Sequence, residues 1–563
     1  MKRSRPLLAL AVSLAAALVL PPPTSADARS SSPPLPPVIP RAVLFGNPER
    51  VQPQISPDGR RLAYLKPDSA DVLQVWVKTI GSDDDRPVTR DPKRGIQQFG
   101  WTWNDRDLFY LQDSDGDENF HVFVTSLENG ETRDMTPIMG VRAQLLAAEP
   151  ERPDEIVVGM NRRSRELMEP WKLDLGSGAL TLLAENPGNG RGWLLDADLV
   201  VRGLLAGRPD GGTELKVRDR EGAEWRTLLS WGIEEDVQPL QFSKDGRTLF
   251  VQSNLGVDTK GLNAIDVASG TRSLLAADAG ADVERVVIQP RTRKVQAVSF
   301  NRLRPAWQVL DPSVAKDWAA LAKVAPGDFD VASRDLADEH WIVAYDSDVG
   351  VVDYYAWDRA AQQATYLFNA QPKLRSYTLA PMKPVEIKAR DGLLLPCYLT
   401  LPAGLAPQNL PMVLLVHGGP WWRDTWGYDP ESQWLANRGY AVLKVNYRGS
   451  IGLGKCFLNL ARKQFAGKMH DDLIDAVNWA VREGIADRRW VGIMGWSYGG
   501  YATLVGLSFT PEVFACGVDL WVRRTSKRCS VPPRLTGKHV TNRSVGTSIP
   551  VPRRSFELSA SER

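Results

Sequence analysis

At 563 residues the chain is too long for a single hydrophobic core, so two or more domains are expected. Its hydrophobic (43%) and charged (24%) fractions are those of a globular protein rather than a disordered or fibrous one. The net charge of +2 conceals an uneven distribution: residues 521–563 hold ten Lys/Arg against two Asp/Glu, which leaves 59 basic and 65 acidic residues in a body that does not read as a nucleic-acid binder.

The N-terminus has the three parts of an export signal. Lys2, Arg3 and Arg5 form a charged start, residues 7–20 are apolar but short for a bilayer span, and Ala26-Asp27-Ala28 is a small-residue cleavage site. Residues 1–28 are therefore expected to be a signal peptide, and the protein to be exported, either periplasmic or secreted. No later segment is apolar enough over sufficient length to suggest a membrane span. The Pro/Ser-rich stretch that follows predicts a linker over 29–44.

From about residue 45 to 375 one unit recurs: an alternating strand, a tight polar turn, and a second apolar strand. Gln54-Ile55-Ser56-Pro57-Asp58-Gly59-Arg60-Arg61-Leu62-Ala63-Tyr64 is its clearest copy. The equivalent turns at Asp58, Asp105, Asp154, Asp196, Asp245, Arg291 and Asp335 are spaced by 47, 49, 42, 49, 46 and 44 residues. A period in the forties with several short strands per unit predicts propeller blades, and seven units predict an all-β seven-bladed propeller over 45–375. Within it, Asp113-Ser114-Asp115-Gly116-Asp117 opens like a calcium loop, but Glu118 and Val124 stand where that motif needs glycine and glutamate. It is read as a blade connection. The four cysteines, Cys397, Cys456, Cys516 and Cys529, have no metal-ligand spacing, and neither metal nor cofactor is expected.

After Pro384 strands alternate with helices. A hairpin turns at Asp391-Gly392. Met412-Val413-Leu414-Leu415-Val416 is a wholly apolar strand, and a helix is expected near 431–437. A strand then runs over 440–445, and a helix carries Asp472, Leu473, Ile474, Ala476 and Val477. Phe514-Ala515-Cys516-Gly517-Val518 is a further strand. This grammar predicts a doubly wound, mostly parallel α/β-hydrolase sheet over 376–520. Between an apolar strand and a helix lies Gly495-Trp496-Ser497-Tyr498-Gly499. A serine on such a turn stands clear of the sheet, with a helix N-terminus aimed at it. Ser497 is the candidate nucleophile, and the backbone N–H of Tyr498 a candidate oxyanion donor. At the end of the apolar strand, His417 is read as a residue that shapes the turn, and Gly418 and Gly419 as bare backbone beside the oxyanion site.

Together with the repeats, His417-Gly418-Gly419-Pro420, Trp426-Gly427-Tyr428, Asn446-Tyr447-Arg448-Gly449-Ser450 and Gly495-Trp496-Ser497-Tyr498-Gly499-Gly500 closely resemble the prolyl oligopeptidase family of serine peptidases, in its bacterial dipeptidyl aminopeptidase and acylaminoacyl peptidase branch. The resemblance spans roughly residues 40 to 520. It implies hydrolysis of short peptides through an acyl-enzyme on Ser497, with the propeller limiting access. It also carries to Tyr428 the role of a tyrosine hydroxyl that completes the oxyanion hole.

The family's acid and base follow two further strands, and the resemblance stops near Leu520. Residues 521–563 show neither strand alternation nor a helical stripe, so a basic, disordered tail and a C-terminally incomplete hydrolase domain are expected. Asp519 and His539 are the only aspartate and histidine after Ser497. A base needs rigid support within hydrogen-bond reach, which the segment around His539 lacks, so an inactive chain is expected. Two other functions fit parts of the pattern: a non-catalytic propeller that binds peptides, and an esterase sharing the elbow.

Overall fold

The protein is described here by a computed structural model covering residues 35–520. The expected signal peptide, the basic tail and His539 lie outside the described residues. Seven antiparallel sheets follow one another along the chain, at 51–87, 98–134, 143–182, 190–231, 237–276, 283–309 and 328–369. They are the seven blades of a propeller. In six of them four strands pair in simple meander order. The sixth has three: after Pro305–Val309 the chain turns through Pro312 into a helix, Ala315–Leu321, whose Trp318 and Leu321 are buried against Ala297 and Trp341. Proline lacks the N–H a fourth strand would need and suits a helix start instead.

The polar turns recognised in the sequence gather on one face and bind neighbouring blades. Asp58 N–H donates to the Asp105 carboxylate at 2.8 Å, and the Asn104 amide to Asp154 at 3.1 Å. Leu336 N–H to the Pro57 carbonyl, at 2.8 Å, joins the last blade to the first. Asp113 and Asp115 lie in a connection of the second blade, where Arg94 and Lys93 neutralise them.

The second layer is one mixed sheet. Its strands are β1 (Met382–Lys388), β2 (Leu394–Thr400), β3 (Leu410–Val416), β4 (Ala441–Val445), β5 (Ala486–Trp496) and β6 (Cys516–Leu520), in the spatial order β1-β2-β4-β3-β5-β6. β2 runs antiparallel to both its neighbours, β1 and β4, and β4, β3, β5 and β6 are parallel. Every residue of β4 is buried, as a strand covered on both faces requires. The helices are α1 (Pro430–Ala436), α2 (Gly454–Asn459), α3 (Lys468–Arg482) and α4 (Tyr498–Phe509). The apolar stripe of α3 read from the sequence, including Leu473, Ala476 and Val477, packs against Leu443, Val491 and Ile493 in the largest core cluster.

The stretch expected to be linker carries structure over its described part. Helix Arg41–Phe45 buries Leu44 with Ile39, Leu374 and Leu379, and the Asn437 side chain accepts from Ile39 N–H at 2.7 Å. The hydrolase sheet faces the propeller end opposite the Asp58-type turns. Asp282 N–H donates to the Gly452 carbonyl at 3.0 Å, and the Arg423 guanidinium to the carbonyls of Asn301 and Arg302 at 2.6 and 2.8 Å.

Candidate active site

Ser497 is an exposed residue in a left-handed backbone conformation, φ 53° and ψ −111°, between β5 and α4. A non-glycine residue there carries strain of about 1–3 kcal/mol, which the surroundings must offset. The register does so: Gly495 pairs with Val416 on one side and Asp519 on the other, and Ser497 N–H bonds the Leu520 carbonyl at 3.2 Å. The flanking glycines are required by space. A Cβ on Gly495 would lie 2.5 Å from the Gly499 backbone, and one on Gly499 2.1 Å from the Val416 carbonyl oxygen. No side chain fits at that distance, so the strand crosses directly under the helix and the serine is lifted onto the turn.

Two sets of backbone donors converge here. Tyr498 opens α4, so its N–H is one of the first-turn donors with no intrahelical partner, at the positive end of the helix. The Tyr498 ring points inward: it is buried against Phe465 and Tyr447 and its hydroxyl donates to the Phe465 carbonyl at 3.4 Å, with burial raising its pKa. The second set is the turn after β3. A Cβ on Gly418 would stand 3.5 Å from the Ser497 Cβ, so this turn lies directly against Ser497.

His417 sets the turn's orientation. Its Nδ1 is 2.8 Å from the Gly418 carbonyl oxygen and its Nε2 3.0 Å from Ser450 Oγ. A carbonyl can only accept, so the bond to Gly418 needs the proton on Nδ1, while the Ser450 hydroxyl donates to the Tyr447 carbonyl at 2.7 Å. Burial lowers the imidazole pKa and keeps it neutral. With the Gly418 carbonyl drawn to His417, planarity of the trans peptide turns the Gly419 N–H to the opposite side, where it donates to no group among the described residues.

The segment Asn446 to Ser450 proves to be the frame of this turn. Asn446 Oδ1 accepts from Asp424 N–H at 2.7 Å, and the Tyr447 hydroxyl donates to the His417 carbonyl at 3.0 Å with the two rings stacked 4.4 Å apart. Arg448, 2% exposed, is paired with Asp472 at 2.7 Å and Asp391 at 3.0 Å. Lys444, buried between Asp424 and Asp429 at 2.9 and 3.2 Å, has its pKa raised by those carboxylates despite the opposing desolvation. A lysine inside an apolar strand carries no local signal of such a role; its partners are 20 and 15 residues earlier.

The Tyr428 ring packs against the cluster of Ile39, Leu44, Leu374 and Leu379, its hydroxyl is buried without a hydrogen-bond partner, and the preceding Gly427 abuts the Asp346 carboxylate of the seventh blade. The described histidines all bond groups other than Ser497. His121 bonds Asp134, His340 bonds Asp335, His417 bonds Gly418 and Ser450, and His470 bonds Thr510. Asp519 sits at the C-terminal end of β6, opposite Gly495. Cys397 is buried and Cys456 and Cys516 are exposed, all three as free thiols.

Comparison with known proteins agrees with this geometry. Residues 426–520 match the prolyl oligopeptidase family. The chain is 46% identical over 493 residues to dipeptidyl aminopeptidase BIII of Pseudoxanthomonas mexicana, covering 86% of this chain and 71% of that protein. It is 30% identical to dipeptidyl peptidase family member 6 of Caenorhabditis elegans, covering 86% and 70%. Among solved structures, a puromycin-hydrolyzing peptidase of Mycobacterium tuberculosis superposes with a TM-score of 0.66 at 17% identity, over 86% of this chain and 79% of that one, which establishes the shared fold.

Proposed function

This chain belongs to the prolyl oligopeptidase family of serine peptidases, and on that premise we propose that it acts on short peptides as a dipeptidyl aminopeptidase, through an acyl-enzyme on Ser497. The observation that carries this reading is the strained Ser497 elbow pressed against the Gly418 turn. The Ser497 hydroxyl attacks the scissile carbonyl, and the developing oxyanion is held by the N–H groups of Tyr498 and Gly419. Such preorganised donors stabilise a tetrahedral intermediate more than the ground state. His417, neutral and clasping Gly418, acts as a positioning residue. Tyr428, the other oxyanion candidate, contributes through packing at the boundary with the propeller.

The base is the open component, because the described imidazoles are all engaged elsewhere; this favours, as a second reading, a propeller protein that binds peptides without cleaving them. A fluorophosphonate probe and substrates with a free-amino dipeptidyl group, an N-acylated residue or a simple ester separate the possibilities. Labelling at Ser497 with dipeptidyl turnover supports the first. Peptide binding by calorimetry without labelling supports the second, and turnover confined to simple esters overturns both. Export belongs to the same proposal, and the N-terminal residue of the mature protein, expected just after Ala28, tests it.

A further inference from the structure

The aromatic rings packed around the Ser497 elbow, Tyr447 and Tyr498, are buried. Three large apolar side chains on the neighbouring turns are not. Trp421 and Trp422 are 43% and 54% exposed, and Ile451 is 38% exposed. Ile451 N–H donates to the Trp422 carbonyl at 3.2 Å, so the three form one patch. Single apolar residues at a surface need no explanation, but a patch holding two indoles marks a place where something binds.

The backbone roots this patch on the turn beside Ser497. A Cβ on Gly419 would lie 2.6 Å from Trp421 N and 3.0 Å from Trp422 N, so the chain folds back tightly on the residue whose N–H is the second oxyanion donor. Trp422 N–H closes the turn on the Pro420 carbonyl at 2.9 Å. The residues next to the patch are tied to the sixth blade. Arg423 donates to the carbonyls of Asn301 and Arg302, and Gly452, which follows Ile451, accepts from Asp282 N–H. The indoles therefore stand at the seam between hydrolase sheet and propeller, where one peptide side chain fits more readily than a folded partner.

We propose that Trp421 and Trp422 set substrate specificity by receiving a large apolar or aromatic side chain from a residue that flanks the scissile bond. An indole face also attracts cations, so charge decides between an apolar and a basic side chain. Arg423 follows the pair directly and repels a lysine or arginine brought there. Ring-to-ring contact and the area that two indoles withdraw from water favour phenylalanine, tyrosine or leucine. Glycine offers the pair nothing to cover.

The inference rests on Ser497 being the site of peptide cleavage, but its test needs no turnover. Ser497→Ala in the full chain is titrated by calorimetry with free-amino tetrapeptides that carry Gly, Phe or Lys at the second or third position, the two that flank the bond a dipeptidyl peptidase cuts. Phe at one of these positions is expected to tighten binding roughly tenfold over Gly, and Lys to give no gain. Adding Trp422→Ala should remove most of the Phe advantage, Trp421→Ala/Trp422→Ala all of it, and Trp422→Phe should keep it. All-Gly peptides should bind parent and variants alike. Equal binding of Phe and Gly peptides by the parent, a comparison that needs no indole variant, would overturn the role of the indoles and leave the peptidase reading standing. A Phe advantage that survives in the double variant would do the same. Failure of every peptide to bind would count against both.

Discussion

His417 Nδ1 and the Gly418 carbonyl oxygen, 2.8 Å apart, fix which way the peptide beside Ser497 points. The bond makes a histidine whose turn lies against Ser497 a clamp on the backbone. Replacing it with alanine frees the Gly418–Gly419 peptide to rotate. In a form of the enzyme that turns over, we expect His417→Ala to lower kcat by about 10²-fold with little change in KM, as for loss of one oxyanion donor. His417→Asn, which still presents an N–H, should recover part of the loss.

The same residue makes a pH prediction for stability. Burial lowers the His417 pKa in the folded state, so between that value and the ordinary histidine value the unfolded chain binds more protons. Stability then rises with pH through this window and is lost as pH falls below about 6.5. Thermal melts from pH 8 to pH 5 should decline, and His417→Gln should flatten part of the decline. An equal decline in the variant would assign the effect to other groups.

Asp346 predicts the opposite sign. Desolvation where the seventh blade meets Gly427 raises its pKa to about 7, with Asp328 and Asp348 adding to the rise and the Tyr428 N–H opposing it. The folded state therefore binds the extra proton between about pH 4 and pH 7, and the stability this confers is lost as pH rises through the folded pKa. Asp346→Asn keeps an acceptor for the Tyr428 N–H without the charge. It should stabilise the protein by about 4 kcal/mol at pH 8, roughly three pKa units' worth, and by little at pH 4, read from denaturant midpoints.

Gly499→Ala tests the elbow. Its Cβ would be placed 2.1 Å from the Val416 carbonyl oxygen, a backbone atom of the central strand that has nowhere to move. A loss of about 3 kcal/mol or more is expected, whereas alanine at Gly222, where nothing lies within 4 Å but φ is 73°, should cost about 1 kcal/mol.

Arg448 and Asp472 are 2% and 0% exposed and joined at 2.7 Å. Asp472→Ala strands the guanidinium with only the half-exposed Asp391, and should cost about 3–5 kcal/mol in chemical denaturation. The double variant Arg448→Met/Asp472→Leu should recover most of it.

Seven blades were legible because each copy carries its own local signals: alternation, a polar turn, and alternation again. The elbow was legible for the same reason, since the apolar residues of β5, the small residues at 495 and 499 and the start of α4 are contiguous. Tyr428 shows what spacing leaves out. Its ring packs with Ile39 and Leu44, nearly 400 residues earlier, which local sequence does not announce.

Local sequence thus determined the two architectures, the strand–turn–helix elbow at Ser497 and the family, because strand period, turn chemistry and the glycines at the elbow act over a few residues. Only the tertiary structure decided what the charged and imidazole groups do: that His417 holds a carbonyl, that Lys444 bridges two aspartates, and that Glu149 reaches Arg293, 144 residues later. Those assignments depend on which distant side chains a closed ring and a wound sheet bring within a few ångströms, where the cost of removing charge from water makes a partner obligatory.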